Sequence, residues 1–175
     1  LGTGVGGGVI INGKILVGEN GAGGEIGHLC VNYEETDHCG CGNCGCLEQY
    51  ASATGITRLA KKKLANETRQ TMLNAETVSA KEVFDAVKAG DEVAKEVAEE
   101  MGTYLGHALA NLAVVADPAV FVIGGGVSKA GEVLLPYIEK PYQEKAFFAN
   151  KKAKFTLATL GNDAGICGAA KLILE

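Results

Sequence analysis

The chain has 175 residues, a length suited to one domain or to a large part of one. Hydrophobic residues make up 47% and charged residues 21%, a balance that excludes a disordered chain. The net charge of −5 leaves no overall positive field, which argues against a role in holding nucleic acid or an anionic membrane.

Glycine is crowded into the start of the chain, where 14 of the 25 glycines fall within the first 48 residues. Such crowding is typical of backbone that turns tightly or lies against a ligand. The chain opens with Leu rather than Met and enters a Gly-rich turn directly, so we expect it to be part of a longer protein. No stretch reaches the roughly 20 apolar residues of a membrane span, and we expect a cytoplasmic protein.

Residues 9–17 predict a β-hairpin, because two β-rich runs are joined by an Asn-Gly dipeptide, which supports a type I′ turn. Residues 18–46 lack the periodicity of a helix or a strand, so we expect them to be ordered only if something holds them together. Their cysteines can do so. Residues 47–64 then show helical spacing, although Gly55 is expected to bend or divide the helix.

Two further helices are predicted in the middle of the chain. Ser79 and Glu82 match a capping box, which begins the first of them. Asp91 begins a longer helix, whose apolar residues repeat at three and four positions and which ends before Asp117. Residues 65–78, which precede both helices, are expected to form a polar surface connection.

The last third of the chain alternates strands and helices, which indicates an α/β fold. The predicted elements are a strand over residues 119–123, a helix over 131–144 interrupted by Pro136 and Pro141, a strand over 155–160 and a helix over 164–174. The first strand is a continuous apolar run, so we expect both of its faces to be buried.

Two Gly-rich turns are candidate nucleotide sites. The bare backbone of residues 3–8 and the hydroxyl of Thr3 could cradle phosphate oxygens, although the turn lacks the Lys-Ser/Thr ending of a P-loop. The second turn, residues 124–126, follows the apolar strand at the end where α/β sheets bind ligands. Each turn alone also fits a connection without a ligand. Together they favour one nucleotide bound between them.

Four of the six cysteines lie within eight residues, a spacing that strains pairwise disulfides and favours a reduced metal site. They are Cys39, Cys41, Cys44 and Cys46. Three cysteines and one histidine form a standard closed tetrahedral zinc site. His28 and His38 compete with the four cysteines for four places, so an all-cysteine site and free thiols in a loop are alternatives. Cys30 and Cys167 stand apart and are expected to be small buried hydrophobic residues.

Two carboxylates flank the candidate metal site. Ligation of Cys46 would fix the first helical turn that carries Glu48, and ligation of His28 would fix the turn that carries Glu25. Carboxylates and an imidazole on a rigid frame suit a ligand rich in hydroxyl donors, and a sugar is the natural candidate. The alternative is that both acids merely occupy helix N-terminal turns, where negative charge is favoured.

These motifs together resemble the ROK family of sugar kinases and sugar-responsive repressors, and within it the bacterial glucokinases. The matching segments are Leu1-Gly-Thr-Gly-Val-Gly-Gly-Gly8, Gly24-Glu-Ile-Gly-His28, Cys39-Gly-Cys-Gly-x-x-Gly-Cys46-Leu-Glu48 and Val122-Ile-Gly-Gly-Gly-Val-Ser128. The resemblance covers essentially all of the chain. It implies the actin-like, ribonuclease-H-like ATPase fold, an α/β fold in two lobes, with residues 1–175 as the C-terminal lobe. Residues 18–48 would form a zinc-bound part of the sugar site.

The resemblance also implies a place for each ligand. Zinc would bind His28, Cys39, Cys41 and Cys46, leaving Cys44 spare. Sugar hydroxyls would contact Glu25, His28 and Glu48. The phosphates of ATP, with Mg²⁺, would lie against Gly2, Thr3, Gly4, Val5, Gly6, Gly7 and Gly8. The adenosine would lie near Gly124, Gly125 and Gly126.

The catalytic residue is expected upstream of this chain. Kinases of the family carry an N-terminal lobe with an Asp-x-Gly-Gly-Thr-like phosphate loop and an Asn-Asp-Ala segment, whose Asp is the general base. Asn162-Asp163-Ala164 looks similar, but its place in the chain corresponds to a structural Asp-Ala-Gly of the family, so it is not assigned that role. The isolated chain is therefore expected to be inactive.

The implied function is ATP-dependent phosphorylation of glucose to glucose 6-phosphate by the full-length protein, as a cytoplasmic homo-oligomer, a dimer or tetramer. One alternative is a kinase for another hexose, such as fructose, allose or N-acetylmannosamine. The other is a sugar-responsive repressor with an upstream DNA-binding segment. No contact with nucleic acid or with a membrane is expected from this lobe.

Overall fold

The computed structural model describes residues 1–173 and has the α/β layout expected from the sequence. Its strands are β1 (Ile10–Ile11), β2 (Lys14–Ile15), β3 (Val120–Ile123) and β4 (Lys154–Leu157). Its α-helices are α1 (Glu48–Ala51), α2 (Ala53–Leu64), α3 (Ala80–Lys88), α4 (Glu92–Ala116), α5 (Leu135–Lys145) and α6 (Ala164–Ile173). Leu174, the last residue of the predicted C-terminal helix, lies outside the described residues.

The predicted hairpin is confirmed. Strands β1 and β2 pair antiparallel, with Ile10 opposite Ile15. Asn12 and Gly13 both have positive φ, 52° and 76°, which is the backbone geometry of a type I′ turn. The apolar side chains of the hairpin are exposed in this chain, Ile10 by 71%.

The helix predicted over residues 47–64 is divided at Ser52, not at Gly55. The Ser52 hydroxyl donates to the carbonyl of Glu48 at 2.6 Å and accepts from the amide of Gly55 at 2.9 Å. One side chain therefore ends α1 and caps α2, while Gly55 continues α2.

The two helix starts predicted in the middle of the chain are confirmed. The amide of Glu82 donates to Ser79 Oγ at 3.3 Å at the start of α3, and the amide of Ala94 donates to Asp91 at 2.9 Å at the start of α4. Asp117 ends α4 in a left-handed conformation with φ of 40°. Local capping chemistry therefore fixes where these helices begin and end.

The core lies between α4 and the helices α2, α3 and α5 that pack on it. Met101 and Leu105 of α4 are fully buried. Against α5 the backbones come close, since the carbonyl of Tyr137 lies 2.0 Å from where a Cβ on Gly102 would stand. Pro141, four residues after Tyr137, has no amide to bond that carbonyl. Contrary to expectation, neither proline interrupts α5.

Strands β3 and β4 pair in parallel, with Phe121 opposite Phe155. On one face of this pair both rings contact Tyr142 of α5. The opposite face carries Val120 and Val122, which are 44% and 59% exposed. The expectation that both faces of β3 are buried is therefore wrong for this chain, because no element among residues 1–173 covers the second face. Strand β4 is also shorter than predicted.

Candidate metal centre and ligand cleft

Four predicted zinc ligands come together in one cluster, the metal cluster: His28, Cys39, Cys41 and Cys46. Their ligand atoms all lie within 4.8 Å of one another. The sulfurs of Cys41 and Cys46 are 3.6 Å apart, and Nδ1 of His28 is 3.8 Å from the sulfur of Cys39. Cys39 and Cys46 are buried, whereas His28 and Cys41 are exposed, so the cluster lies at the edge of the core.

Short backbone pairings between residues 29–31 and 45–47 help to assemble this cluster. The amide of Val31 donates to the carbonyl of Gly45 and the amide of Leu47 donates to the carbonyl of Leu29, both at 2.8 Å. The first residues after His28 thus lie antiparallel beside the last ligand and the start of α1. The ligand set is therefore held by main-chain hydrogen bonds as well as by its side chains.

Cys44 and His38 lie outside the metal cluster. The Cys44 sulfur is 3.5 Å from Nδ1 of His38 and 3.6 Å from the carbonyl of Thr36. Of the alternatives left open by spacing, the arrangement therefore matches three cysteines and His28 rather than four cysteines. Cys30 and Cys167 are exposed, so the expectation that they are buried is wrong. Neither cysteine is part of the hydrophobic core formed by the described residues, so its side chain is left open to solvent.

The thiols of the metal cluster have unequal acidities. Burial and, to a smaller extent, hydrogen bonding with Cys41 together raise the pKa of Cys46 to about 12. Burial also raises the pKa of Cys39, whereas a hydrogen bond from the backbone amide of Asn43 lowers that of Cys41. Buried thiolates without a counter-charge are costly. A bound cation is the natural partner for three sulfurs arranged in this way.

Glu48 links the metal cluster to the first Gly-rich turn. It is the first residue of α1, and its Oε1 accepts a hydrogen bond from the Cys39 thiol at 3.0 Å. Its Oε2 accepts from the amide of Val5 at 3.4 Å and would lie 2.6 Å from a Cβ on Gly4. The carboxylate is thus held from both sides while its side chain stays 24% exposed.

Glu25 lies directly before a single helical turn, Ile26–His28, and its side chain is exposed. This turn packs tightly on the Gly-rich segment. A Cβ on Gly27 would stand 2.0 Å from the carbonyl of Val5, so only glycine allows this approach. The two segments that carry predicted ligand residues are therefore in direct backbone contact.

A cleft of about 400 Å³ opens beside these residues. Its walls include Thr3 and Gly4 of the first Gly-rich turn, Cys39 of the metal cluster, Glu48 and Arg58. The volume falls within the range of small-molecule sites. Among the predicted sugar contacts only Glu48 lines it, while Glu25 and His28 do not.

The two Gly-rich turns are neighbours in the structure. The amino group of Leu1 donates to the carbonyl of Gly124 at 2.7 Å, and the amide of Val127 donates to the carbonyl of Leu1 at 3.0 Å. A Cβ on Gly6 or Gly126 would meet no atom within 4 Å, so the backbone there borders open space. The predicted phosphate and adenosine segments thus share one surface.

Sequence reasoning missed an ion-pair network, centred on Glu35, that ties the metal cluster to the helices. Arg58 of α2 bonds Glu35 and, at 2.7 Å, Asp37. The hydroxyl of Tyr50 donates to Glu35 at 2.7 Å, and the Arg58 guanidinium lies 5.6 Å from the centre of the Tyr50 ring. No local spacing signals such distant partners. The one signal was Tyr50, because a tyrosine on an apolar helix face needs a partner for its hydroxyl.

The fold is shared with solved sugar kinases. The crystal structure of a ROK family glucokinase from Streptomyces griseus, in complex with glucose and AMPPNP, matches with a TM-score of 0.87 and 37% identity. The match covers 98% of this chain and 58% of that one. The chain therefore has the actin-like ATPase fold, here with its helices and a parallel strand pair.

The chain belongs to the ROK family, which matches residues 1–175. A glucokinase of Halalkalibacterium halodurans is 46% identical over 181 residues, covering 100% of this chain and 54% of that protein. A xylose repressor of Caldicellulosiruptor bescii is 28% identical over 179 residues, covering 100% of this chain and 45% of that protein. The chain thus spans about half the length of the curated relatives it matches. None of the described helices combines the length and apolarity needed to cross a membrane.

Proposed function

We propose that the full-length protein that contains this chain is an ATP-dependent sugar kinase, and that its sugar is glucose, phosphorylated on the 6-hydroxyl. The observation that carries the proposal is the position of Glu48, whose carboxylate lies 3.0 Å from the sulfur of Cys39 in the metal cluster and 3.4 Å from the amide of Val5 in a Gly-rich turn. A carboxylate in that place can hold a sugar hydroxyl beside backbone suited to phosphate. Similarity to glucokinases supports the same substrate class.

The metal cluster is proposed to hold structural zinc through His28, Cys39, Cys41 and Cys46. Zinc bonds of about 2.3 Å to sulfur place tetrahedral sulfurs about 3.8 Å apart. The observed separation between Cys41 and Cys46 is 3.6 Å, close to that value, and the four ligand atoms lie within 4.8 Å of one another, so the cluster has about the size that the ion requires. Four protein ligands leave no open position, so the ion would supply rigidity rather than chemistry. Thiolate ligands also require a reducing compartment, in keeping with a cytoplasmic protein.

Sugar recognition is assigned to Glu25, His28 and Glu48. A histidine has two ring nitrogens, so His28 can bind the ion with one and a sugar hydroxyl with the other. Nδ1 is the nitrogen that faces the metal cluster. Because Glu25 stands just before the turn that carries His28, an ordered metal cluster would also order Glu25.

The nucleotide is proposed to lie along the shared surface of the two Gly-rich turns, with phosphates on residues 2–8 and adenosine near residues 124–126. Magnesium would accompany the phosphates and neutralise charge that develops during transfer. The proton of the attacking hydroxyl is expected to pass to an Asp in the other lobe. Loss of a general base alone slows such reactions by roughly 10²-fold to 10⁴-fold, so the 175-residue chain by itself is proposed to be inactive.

A phosphoryl-transfer assay of the full-length protein tests this proposal. Glucose, fructose, allose and N-acetylmannosamine would each be offered with ATP and Mg²⁺, and sugar phosphate formation measured directly. We expect the highest kcat/KM for glucose. Preference for another hexose would replace glucose as the proposed substrate but leave the protein a sugar kinase. Absence of transfer to every sugar would overturn it.

A sugar-responsive repressor is the second candidate, because the chain is also similar to a xylose repressor. A repressor would bind sugar without transferring phosphate and would carry an upstream DNA-binding segment. Sugar binding without transfer, together with sequence-specific DNA binding by the full-length protein, would favour it. We also propose that the full-length protein is a dimer or tetramer, which light scattering on the same preparation would measure.

A further inference from the structure

Cys30 and Cys46 face each other across a short antiparallel bridge. Two hydrogen bonds flank this pair, one between Val31 and Gly45 and one between Leu47 and Leu29. Because the bonds come from the residues on either side, the two cysteines form a non-hydrogen-bonded pair. Their side chains consequently lie on the same side of the bridge.

The backbone spacing of such a pair suits a disulfide. Cα atoms of a non-hydrogen-bonded antiparallel pair are about 4.5 Å apart, inside the roughly 4.4 to 6.8 Å that a disulfide accepts. The sulfur of Cys30 lies 3.3 Å from where a Cβ on Gly45 would stand, so it leans over the strand that carries Cys46. Glycine at position 45 leaves that approach open.

The two thiols differ in access and in role. Cys30 is exposed and takes no part in the metal cluster, whereas Cys46 is only 1% exposed and belongs to it. A dissolved oxidant can therefore reach Cys30, while Cys46 lies across the bridge from it as the resolving thiol. In a reducing compartment, exposed cross-strand disulfides are the labile kind that form and break with redox conditions.

We propose that Cys30 is an oxidation site, at which peroxide drives a reversible disulfide with Cys46 and so removes one ligand from the metal cluster. The metal consequence rests on the zinc site proposed above. Cys30 attacks the peroxide O–O bond, forming a sulfenic acid and releasing hydroxide. Cys46 then attacks that sulfur, the S–O bond breaks, and a second hydroxide leaves. Two electrons pass from the two sulfurs to one peroxide. The Cys30 thiol proton and one proton from solvent convert both hydroxides to water, because Cys46 leaves the metal as a thiolate.

Hydrogen peroxide treatment of the metal-loaded full-length protein tests the proposal. Metal release is followed with a chromogenic chelator, and disulfides are mapped by mass spectrometry after alkylation without reduction. We expect loss of two hydrogen atoms per chain, a peptide linking residues 30 and 46, and metal release that dithiothreitol with added zinc reverses. Cys30→Ser and Cys30→Ala should both abolish the link and keep metal release at the rate of untreated protein.

Cys44→Ser is the matched control, because Cys44 is another thiol beside the cluster that lies outside the ligand set. It should release metal under peroxide as the unsubstituted protein does. Unchanged release in both Cys30 variants, or a link between Cys41 and Cys46 instead, would overturn the proposal. Protein that carries no metal but still forms the 30–46 link would leave the oxidation site standing and count against the zinc site alone.

Discussion

Arg58 and Glu35 form an ion pair that joins helix α2 to the loop before Cys39. The Glu35 side chain is only 7% exposed, and it also accepts hydrogen bonds from Tyr50 and from the amides of Thr36 and Asp37. This carboxylate therefore fixes the loop that delivers a ligand to the metal cluster, independently of any ion.

Replacing Glu35 by Gln should destabilise the protein in a pH-dependent way. Burial raises the pKa of Glu35, but hydrogen bonds from Arg58 and Tyr50 outweigh it and lower the pKa to about 2 from its ordinary 4.5. A lowered pKa stabilises the fold above pH 4.5, and this contribution is lost as pH falls toward 2. We expect a cost of about 1.5 to 3 kcal/mol at neutral pH, the range for hydrogen bonds to charged groups.

Urea unfolding at several pH values measures this difference. The difference in the free energy of unfolding between the unsubstituted protein and Glu35→Gln should narrow steadily below pH 4.5. Both proteins are kept metal-free, so that metal loss does not contribute. Asp85→Asn, which breaks an exposed ion pair with Lys81, is the control, and it should change the free energy of unfolding little. A gap that stays constant with pH would show that Glu35 does not act through its charge.

Gly27→Ala should weaken the contact between the two segments that carry predicted ligand residues. A Cβ there would stand 2.0 Å from the carbonyl of Val5, and backbone must move to admit it. Overpacking of this kind costs about 1 to 3 kcal/mol. Chemical denaturation should show this cost as a lower free energy of unfolding. Gly168→Ala, an open position in α6, should be neutral or slightly stabilising, and equal destabilisation by both would contradict the expectation.

Glu48→Gln tests the proposed sugar contact. The amide keeps the size of the side chain but loses the charge that strengthens a hydrogen bond from a sugar hydroxyl. A charged hydrogen bond of about 1.5 to 3 kcal/mol corresponds to a fall in kcat/KM of roughly 10-fold to 100-fold. Metal content should stay the same, which separates a sugar contact from a metal ligand. Unchanged kinetics in the full-length enzyme would remove Glu48 from the site.

Cys41→Ser and Cys44→Ser form a matched pair for the metal cluster. Both are cysteines of the same loop, but only Cys41 has its sulfur among the four grouped ligand atoms. Elemental analysis of protein purified in reducing buffer should show one zinc per chain for Cys44→Ser and a marked loss for Cys41→Ser. The reverse pattern would mean that Cys44 is the ligand.

Features fixed by short stretches of sequence could be predicted. The hairpin follows from one dipeptide, the starts of α3 and α4 follow from Ser79 and Asp91, and the grouping of the ligands follows from closely spaced cysteines. In each case the residues that decide the structure are near neighbours in the chain. Spacing alone does not decide which of the four cysteines and two histidines group together, because that depends on how the loop folds.

Features fixed by distant partners could not be predicted. Glu35 and Arg58 lie 23 residues apart, and no periodicity connects a loop acid with a helix base. The break at Ser52 was missed for a different reason. Its partners Glu48 and Gly55 are only four and three residues away, but serine does not mark a helix end as glycine does. An apolar strand such as β3 shows only that its faces can be buried, because burial depends on what else is present to cover Val122.

The hydrogen bonds that join Leu1 to Gly124 and Val127 have a thermodynamic consequence for ligand binding. Because they hold the residue that leads into the first Gly-rich turn against the second turn, part of the conformational entropy of bringing the two turns together is lost when the chain folds. A ligand that spans both turns then meets a surface already in place, and more of its contact energy is retained as affinity.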